Sequence, residues 1–430
     1  MRTAQVEKTG WRQVDLAVAK EVKNILKLPE RATNHYLLAD RKKGGCGIPS
    51  AAAECDFNLV DTAFKLLTSR DEDEAVAALG QLRRTVRHRI HRAPTDGDLS
   101  SYLSGCMEGE FATSSNALSN TWTQARKASS RQEVTWTFTN GSPTIAFVDD
   151  VLTATSRTSV LRKFHLSFKE AETEKLIAQD SQGKVMECVS LAQESSHFIT
   201  GGLYTRFADW RFIHKARFNV TPLNGSKPWI SGRQRKCRKC GQWDETLAHV
   251  LNHCKSYSAA WQMRHKAIVR RIKTAVAFMG TILSENQTVG HSSAIRPDLV
   301  ATVGNTLFII DITIPFEDRK DAFAAAAKRK VEKYAPLIPY FNQLGYESVE
   351  IVPVIVGALG SWDPFNDRFR QKVATRRYLK TLKRLCVSDT IKWSRNIYIQ
   401  HITGKQQYSK DTAAPSNEVI ENTVSQTSPP

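Results

Sequence analysis

Two aspartates and a lysine carry the strongest chemical signal in this sequence. Asp298 and Asp311 flank the dipeptide Gly304-Asn305, and Lys330 follows in an Ala-rich basic stretch. Glycine and asparagine both tolerate positive φ, so the dipeptide suits a two-residue hairpin turn. With that turn, Val303 faces Thr306, and counting outward Asp298 faces Asp311 on the same side, with Cβ atoms about 5 Å apart. Like charges so placed destabilise a sheet unless a cation lies between them. Asp311 also interrupts Leu307-Phe308-Ile309-Ile310 and Ile312-Thr313-Ile314, the most apolar run in the chain. A carboxylate there costs several kcal/mol unless it is paired or binds metal. Such a pair is the apparatus of metal-assisted hydrolysis; the alternative is a solvated hairpin with two surface acids.

The elements that would position these groups are a hairpin and the helix after it. At helical spacing Phe323, Ala327, Val331, Tyr334 and Ile338 form one stripe, with Lys330 inside it and Lys328 and Lys333 off it on either side. A lysine on the core-facing side needs an anion, or else extends its ammonium into water. A strand is predicted over residues 349–356, and a basic amphipathic helix over 365–385. Strand, strand, helix, strand, helix is a mixed α/β pattern.

A second cluster precedes the hairpin. Cys237, Cys240, His249 and Cys254 have the spacing of a tetrahedral zinc site. Four protein ligands leave no open position, so the zinc is structural and folds a segment too small to hold itself together. His253 is the second choice to His249; unmetallated core cysteines are the alternative. From Arg233 to Lys273 there are eleven Lys/Arg residues against two acids, Asp244 and Glu245. That surface faces phosphates or water.

The whole chain of 430 residues carries a formal charge of +18 and has a pI near 9.6. A polyanionic partner, most simply nucleic acid, fits that balance. With 41% hydrophobic residues the chain builds real cores. No apolar run approaches the roughly 18 residues of a transmembrane helix, and no membrane partner is expected. The N-terminus lacks a secretory signal, and the cysteines are not spaced as a secreted disulfide framework.

Residues 11–27 read as a helix. Gly44-Gly45-Cys46-Gly47-Ile48-Pro49 reads as a tight turn, and only weakly as a phosphate loop, because no Lys-Ser/Thr follows. Residues 50–95 are helix-rich and end in a basic run from Arg83 to Arg92. No firm structure is expected over 95–145. Trp210, Phe212 and Phe218 lie among cations and serve either to stack on bases or as core. Phe147-Val148-Asp149-Asp150 has the form of a polymerase metal turn, but no acidic strand upstream matches it, and it reads as a coincidental strand or loop.

These motifs together resemble a known family. In order they are the Cys-His cluster with Glu245-Thr246, then Arg264-His265, Arg296-Pro297-Asp298, Asp311-Ile312-Thr313 and Lys330-Val331-Glu332-Lys333-Tyr334. The series resembles the C-terminal part of the polyprotein of site-specific non-LTR retrotransposons. The resemblance is specific over about residues 205–360. Upstream, Leu28-Pro29 and the glycine-rich turn resemble the end of a reverse-transcriptase thumb, where Cys46 departs from the family pattern.

The resemblance implies an α/β nuclease domain of the restriction-endonuclease-like PD-(D/E)XK type, preceded by a mainly helical region and a small zinc knuckle. The expected organisation is a helical thumb-end region at 1–95, a helix-rich linker at 96–230, the knuckle and a basic helix at 231–275, the nuclease at 276–402 and a disordered tail at 403–430. Asp298 and Asp311 would hold Mg²⁺, Lys330 would be the catalytic lysine, and Tyr334 would join them. Arg264, His265 and Arg296 would contact DNA, or brace the nuclease in the case of Arg264-His265. Glu285 and Glu317 are candidates for a third metal-coordinating acid. The implied partners are target DNA, the element's RNA and a polymerase portion that this sequence lacks; the implied location is the nucleus. The other readings are a non-catalytic zinc-containing nucleic-acid-binding remnant and part of an RNA-directed DNA polymerase.

Overall fold

The structure, a computed structural model, describes residues 8–112, 119–148, 150–226, 232, 234–290, 295–369 and 375–408. It divides into two compact units. The first comprises Met1–Val22, Asn34–Asp40 and Gly47–Glu174; the second comprises Lys23–Thr33, Arg41–Cys46 and Lys175–Pro430. Helix α1, Lys8–Leu26, contributes to both.

In the first unit four helices surround a small sheet. They are α2 (Ala51–Leu67), α3 (Glu72–Ile90), α4 (Asp96–Leu103) and α5 (Thr121–Arg131). Each starts at a side-chain cap: Ser50, Asp71, Thr95 and Asn120 accept hydrogen bonds from first-turn amides, satisfying donors that the helix itself leaves open. The sheet is antiparallel, in the order β1 (Thr135–Thr139), β2 (Ser142–Phe147) and β3 (Asp150–Leu152). Phe57, Phe64, Leu82, Leu99, Trp122 and Trp136 form its core. A helix, α6 (Val160–Ile177), follows.

The described residues of the 95–145 stretch, which leave out 113–118, therefore hold more regular structure than expected. The overlooked signal is local. Trp136 and Phe138 alternate with threonines in a buried–exposed pattern, and Asn140-Gly141 makes the turn with φ of +50° and +77°.

In the second unit, helix α7 spans Phe207–Arg217 and α8 spans Ser258–Met279. A four-stranded sheet follows, in the order β4 (Thr281–Glu285), β5 (Leu299–Val303), β6 (Thr306–Thr313) and β7 (Ser348–Ile355). β5 pairs antiparallel with β6, and β6 pairs parallel with β7. The parallel pair is bridged by α9 (Asp321–Tyr334) and α10 (Leu337–Gln343). The edge strand β4 was not foreseen.

β6 is covered on both faces, which is why it reads as an unbroken apolar run. Leu307 and Ile309 pack with Val300, Tyr334, Leu337 and Phe341. Phe308, on the other face, meets Phe369 edge-on at 5.1 Å. The last helix, α11, spans Arg376–Thr403 and packs along α8. It runs further than the helix expected over 365–385, a span in which residues 367–369 are also helical and 370–374 lie outside the described residues. Pro364–Asn366 is only a short 3₁₀ turn, Thr375 caps α11, and Gly404 closes it at φ +74°. Residues 409–430, most of the expected tail, lie outside the described residues.

Candidate active site and metal centre

The turn at Gly304-Asn305 sets the register the sequence predicts: Val303 pairs with Thr306 and Leu299 with Ile310. Gly304 takes φ +57°, whereas Asn305 does not enter the positive-φ region. The turn thus leans on glycine alone. One pair further out, Asp298 stands at the mouth of β5 opposite Asp311 of β6. Its Oδ2 accepts a 2.7 Å hydrogen bond from the Ile312 amide.

Asp311 is buried, and two side chains of α9 reach it. Lys330 Nζ lies 2.5 Å from its Oδ1, and the Tyr334 hydroxyl donates to its Oδ2. That hydroxyl also lies 3.0 Å from the carbonyl oxygen of Arg296. Oδ1 receives no well-aligned hydrogen bond, so the lysine holds it mainly by charge. Burial raises the Tyr334 pKa, and the hydrogen bond and charge of Asp311 raise it further. The phenol therefore stays protonated and donating.

The buried line of α9 differs from the expected stripe by a fraction of a turn. Phe323, Ala326 and Tyr334 are buried, while Val331 is exposed. Lys330 lies within the buried line, half covered, one turn before Tyr334.

Asp298 has its own partner. His265 Nε2, on α8, lies 3.1 Å from Asp298 Oδ2 and 3.0 Å from the Ile312 carbonyl. Burial lowers the His265 pKa, but the hydrogen bond and charge of Asp298, with the Ile312 carbonyl and Asp311 behind, outweigh it and raise it. His265 is thus drawn into the acid pair.

Arg264, named with His265 as a nucleic-acid contact or a brace, is buried. Its guanidinium donates to Ser394 Oγ of α11 at 2.9 Å, to the Leu251 carbonyl at 3.1 Å and to Asn252 Oδ1 at 2.8 Å. Burial lowers its pKa to about 10. Direct contact with DNA is closed to it, so bracing is its part. Arg296 is exposed, with Nε donating to the Asn286 carbonyl at 2.5 Å.

The two candidate third acids lie elsewhere. Glu285 is on β4 and pairs with Lys273 at 2.5 Å. Glu317 is buried and accepts from the Leu359 and Ser361 amides and the Ser361 hydroxyl. A Cβ on Gly357 would come within 2.1 Å of its Oε1, so only glycine fits there. Glu317 is a strut for the loop after β7.

The Cys-His cluster assembles as its spacing predicts. One ligand atom each from Cys237, Cys240, His249 and Cys254 falls within 4.8 Å of every other. Cys237 Sγ and Cys254 Sγ are 4.0 Å apart, and Cys240 Sγ is 3.3 Å from His249 Nε2. Tetrahedral zinc with sulfur ligands has edges of about 3.8 Å, so the donor set fits zinc in both chemistry and size. His253 is outside the group.

Sequence reasoning missed how the cluster is anchored. Glu245, fully buried, accepts from the Arg238 guanidinium at 2.7 Å and lies 2.8 Å from His401 Nε2 near the end of α11. His401 Nδ1 lies 3.0 Å from the Tyr257 hydroxyl. His401 is distant in sequence from both Glu245 and Tyr257, and no local pattern announces it.

The remaining candidates are ordinary. Phe212 and Phe218 are core residues, and Trp210 packs edge-on with His214. Of the acidic pair after Phe147, Asp149 lies outside the described residues, and Asp150 forms a surface pair with Lys163 at 2.5 Å. Among the described residues no helix is long and apolar enough to cross a membrane.

Comparison with known proteins places this architecture beside mobile elements. Three curated relatives from Popillia japonica bear the description "Retrovirus-related Pol polyprotein from type-1 retrotransposable element R2". One is 26% identical over 189 residues, which is 43% of this chain and 39% of that protein. The second is 22% identical over 176 residues, 40% of this chain and 39% of the relative. The third is 24% identical over 185 residues, 41% and 30% respectively. The chain thus spans about two fifths or less of the curated relatives it matches. No family model matches it. The chain is similar to part of the polyprotein of R2-type retrotransposable elements, with a mixed α/β, largely helical fold and a Cys-His cluster suited to metal.

Proposed function

We propose that residues 276–402, within the second unit, form a Mg²⁺-dependent DNA endonuclease of restriction-like type, belonging to the C-terminal region of a retrotransposon polyprotein. Its task would be to nick target DNA, leaving an end from which the element's RNA is copied by a polymerase portion elsewhere, in the nucleus. The domain boundaries expected from the sequence belong to this reading.

One observation carries it: a buried aspartate, Asp311, with an under-satisfied oxygen and a lysine at 2.5 Å, next to a second aspartate on the same hairpin. A buried charge is retained where it is paired or holds a metal, and pairing alone would not require the second acid. Asp298 and Asp311 are hard oxygen donors of the kind Mg²⁺ takes. Bound there, the ion would stabilise charge on the phosphate under attack and make its water more acidic.

The chain's own groups do the rest. Tyr334 holds Asp311 in one rotamer. The Ile312 amide and His265 hold Asp298. The Lys330 ammonium, paired with Asp311 Oδ1 and partly exposed, would orient a water or a phosphate oxygen beside that carboxylate, its stem fixed by α9. Such preorganised charge is the usual largest contribution to phosphoryl chemistry. The basic surface between residues 235 and 273 offers a track for the DNA backbone.

The test is nicking of supercoiled plasmid and target duplex with and without Mg²⁺, by wild type and Asp311→Ala. Equal cleavage by both removes this assignment. The rival reading is a zinc-containing nucleic-acid-binding protein without catalysis. It draws on the same lysine, whose ammonium already neutralises Asp311, and it predicts DNA retention with no nicking by either protein.

A further inference from the structure

The cluster of Cys237, Cys240, His249 and Cys254 is joined to the acid pair by hydrogen bonds that neither motif requires. The chain between His249 and Cys254 forms one wide turn, His249–His253. Asn252, inside that turn, donates from Nδ2 to the Ile314 carbonyl at 2.9 Å. Ile314 lies just past the end of β6, three residues after Asp311. Asn252 Oδ1 and the Leu251 carbonyl, in turn, accept from buried Arg264. The neighbour of Arg264, His265, grips the Ile312 carbonyl and Asp298.

The ligand-bearing turn is therefore linked to the end of β6 by two routes, one direct and one through α8. Asn252 holds residue 314 directly, and Arg264 ties the turn to the helix whose His265 holds residues 298 and 312. Arg264 is a buried cation whose hydrogen bonds run to this turn and to Ser394. Removing its partners would leave a buried charge poorly compensated, which costs more than an ordinary lost hydrogen bond.

We infer that the metal cluster serves the acid pair as a positioning element. Closing the turn between His249 and Cys254 holds Asn252 and Arg264 in place, and they fix the end of β6 and the Asp298–Ile312 bond. Asn252 is the positioning residue that no motif marks. This inference rests on the proposed nuclease site only for its functional consequence; the coupling itself is a statement about structure.

The test reads backbone exchange rather than activity. The Ile312 amide, which donates to Asp298, is followed by hydrogen exchange in zinc-loaded full-length protein, after zinc removal with a chelator, and in zinc-loaded Asn252→Ala. Expected is an increase of about tenfold in Ile312 exchange in both perturbed samples, with the Phe308 and Ile309 amides unchanged. Zinc content by metal analysis should remain at the wild-type level in Asn252→Ala. Restoring zinc to the stripped protein should restore protection. An unchanged Ile312 in either perturbed sample overturns the inference, as does a loss spread evenly over β5, β6 and β7 in Asn252→Ala. Nicking by Asp311→Ala at the wild-type rate would sink the nuclease reading while leaving this coupling standing. A silent Asn252→Ala beside an inactive Asp311→Ala would do the reverse.

Discussion

Each unit contains an antiparallel hairpin with an aspartate in it and a lysine on a following helix. In the first unit Asp150 opens β3 and meets Lys163 of α6 at 2.5 Å; in the second Asp311 meets Lys330 of α9 at the same distance. By sequence the first has the form of an aromatic-X-Asp-Asp metal turn but reads as coincidental, because no acidic strand upstream matches it. The surroundings separate them. Val148 and Val151 beside Asp150 are 80% and 68% exposed, and the Asp150 side chain is itself exposed. Asp311 is flanked by fully buried isoleucines and shares its environment with Tyr334, Asp298 and His265. An ion pair in water does little work; the same pair out of water, with a second acid beside it, is unstable unless it has a purpose.

The widest separation between the hairpins should appear in catalysis. On the proposed nuclease reading, Asp311→Ala removes a carboxylate that would hold Mg²⁺ and with it several kcal/mol of transition-state stabilisation, a loss of about a thousandfold in nicking rate. Asp150→Ala should nick at the wild-type rate. Single-turnover kinetics on one supercoiled substrate compares both. A thousandfold loss in Asp150→Ala with Asp311→Ala intact would invert the comparison.

The lysines should differ next. Lys330→Met keeps the stem and removes the ammonium, and is expected to slow nicking about a hundredfold, within the span of proton-transfer and orienting groups. Affinity for DNA should change little, because one cation among many is lost. Lys163→Met should change neither. A Lys330 effect confined to DNA affinity, with the single-turnover rate preserved, would demote it from the chemistry to the binding surface.

How far the sequence led depended on how local each determinant was. The Gly304-Asn305 turn fixes the β5–β6 register, and register alone brings Asp298 and Asp311 together; both are readable within a short window. The Cys-His cluster suited to metal was readable for the same reason. Val331 misled because α9 presents Lys330 and Ala326 to the sheet, a rotation that helical spacing alone does not determine. For Arg264 the family resemblance implies either DNA contact or a brace, and nothing local decides between them. The burial of Arg264 follows from α11, more than a hundred residues onward, which brings Ser394 to it. Asn252 carries no signature at all, since its partner is a backbone carbonyl. The β1–β2 hairpin was readable from Asn140-Gly141 but lay in a Ser/Thr-rich stretch that looked featureless.

The acid response should also distinguish the units. The second buries His197, whose Nδ1 faces the Glu194 carbonyl while Nε2 faces the Ser388 hydroxyl. Burial pushes its pKa down to about 4, and that of His214 down to about 3. Both imidazoles are neutral when folded and take up a proton near pH 6.5 when unfolded. Their stabilisation is whole above pH 6.5 and is lost as pH falls toward the folded values. For His197 the loss is roughly 3 kcal/mol. In the first unit burial raises the pKa of Asp56, but hydrogen bonds from Arg131, Lys8 and Gln132 outweigh it and hold it below the usual carboxylate value. Its contribution is therefore lost only at pH below about 4. Denaturant melts between pH 7 and 4, read by probes in each unit, should slope only in the second, and His197→Gln should flatten that slope. A slope of equal size in the first unit would contradict the burial argument.

The smallest effect tests the premise of the comparison. Asp150 and Lys163 are both partly solvated, so breaking their pair should cost between zero and about 1 kcal/mol, and less at high salt. The comparable variant in the other hairpin, Asp311→Ala, takes from the mostly covered Lys330 ammonium its anion and leaves the Tyr334 hydroxyl only the Arg296 carbonyl to donate to, and should cost about 2 kcal/mol or more. Asp311→Asn should recover part of that, since the amide oxygen still accepts from Tyr334. Urea melts of the three variants at low and high salt measure both terms. If Asp150→Ala destabilised as much as Asp311→Ala, and salt left it unchanged, then exposure would not be what separates the two hairpins, and the case for a special site at Asp311 would have to rest on Asp298 alone.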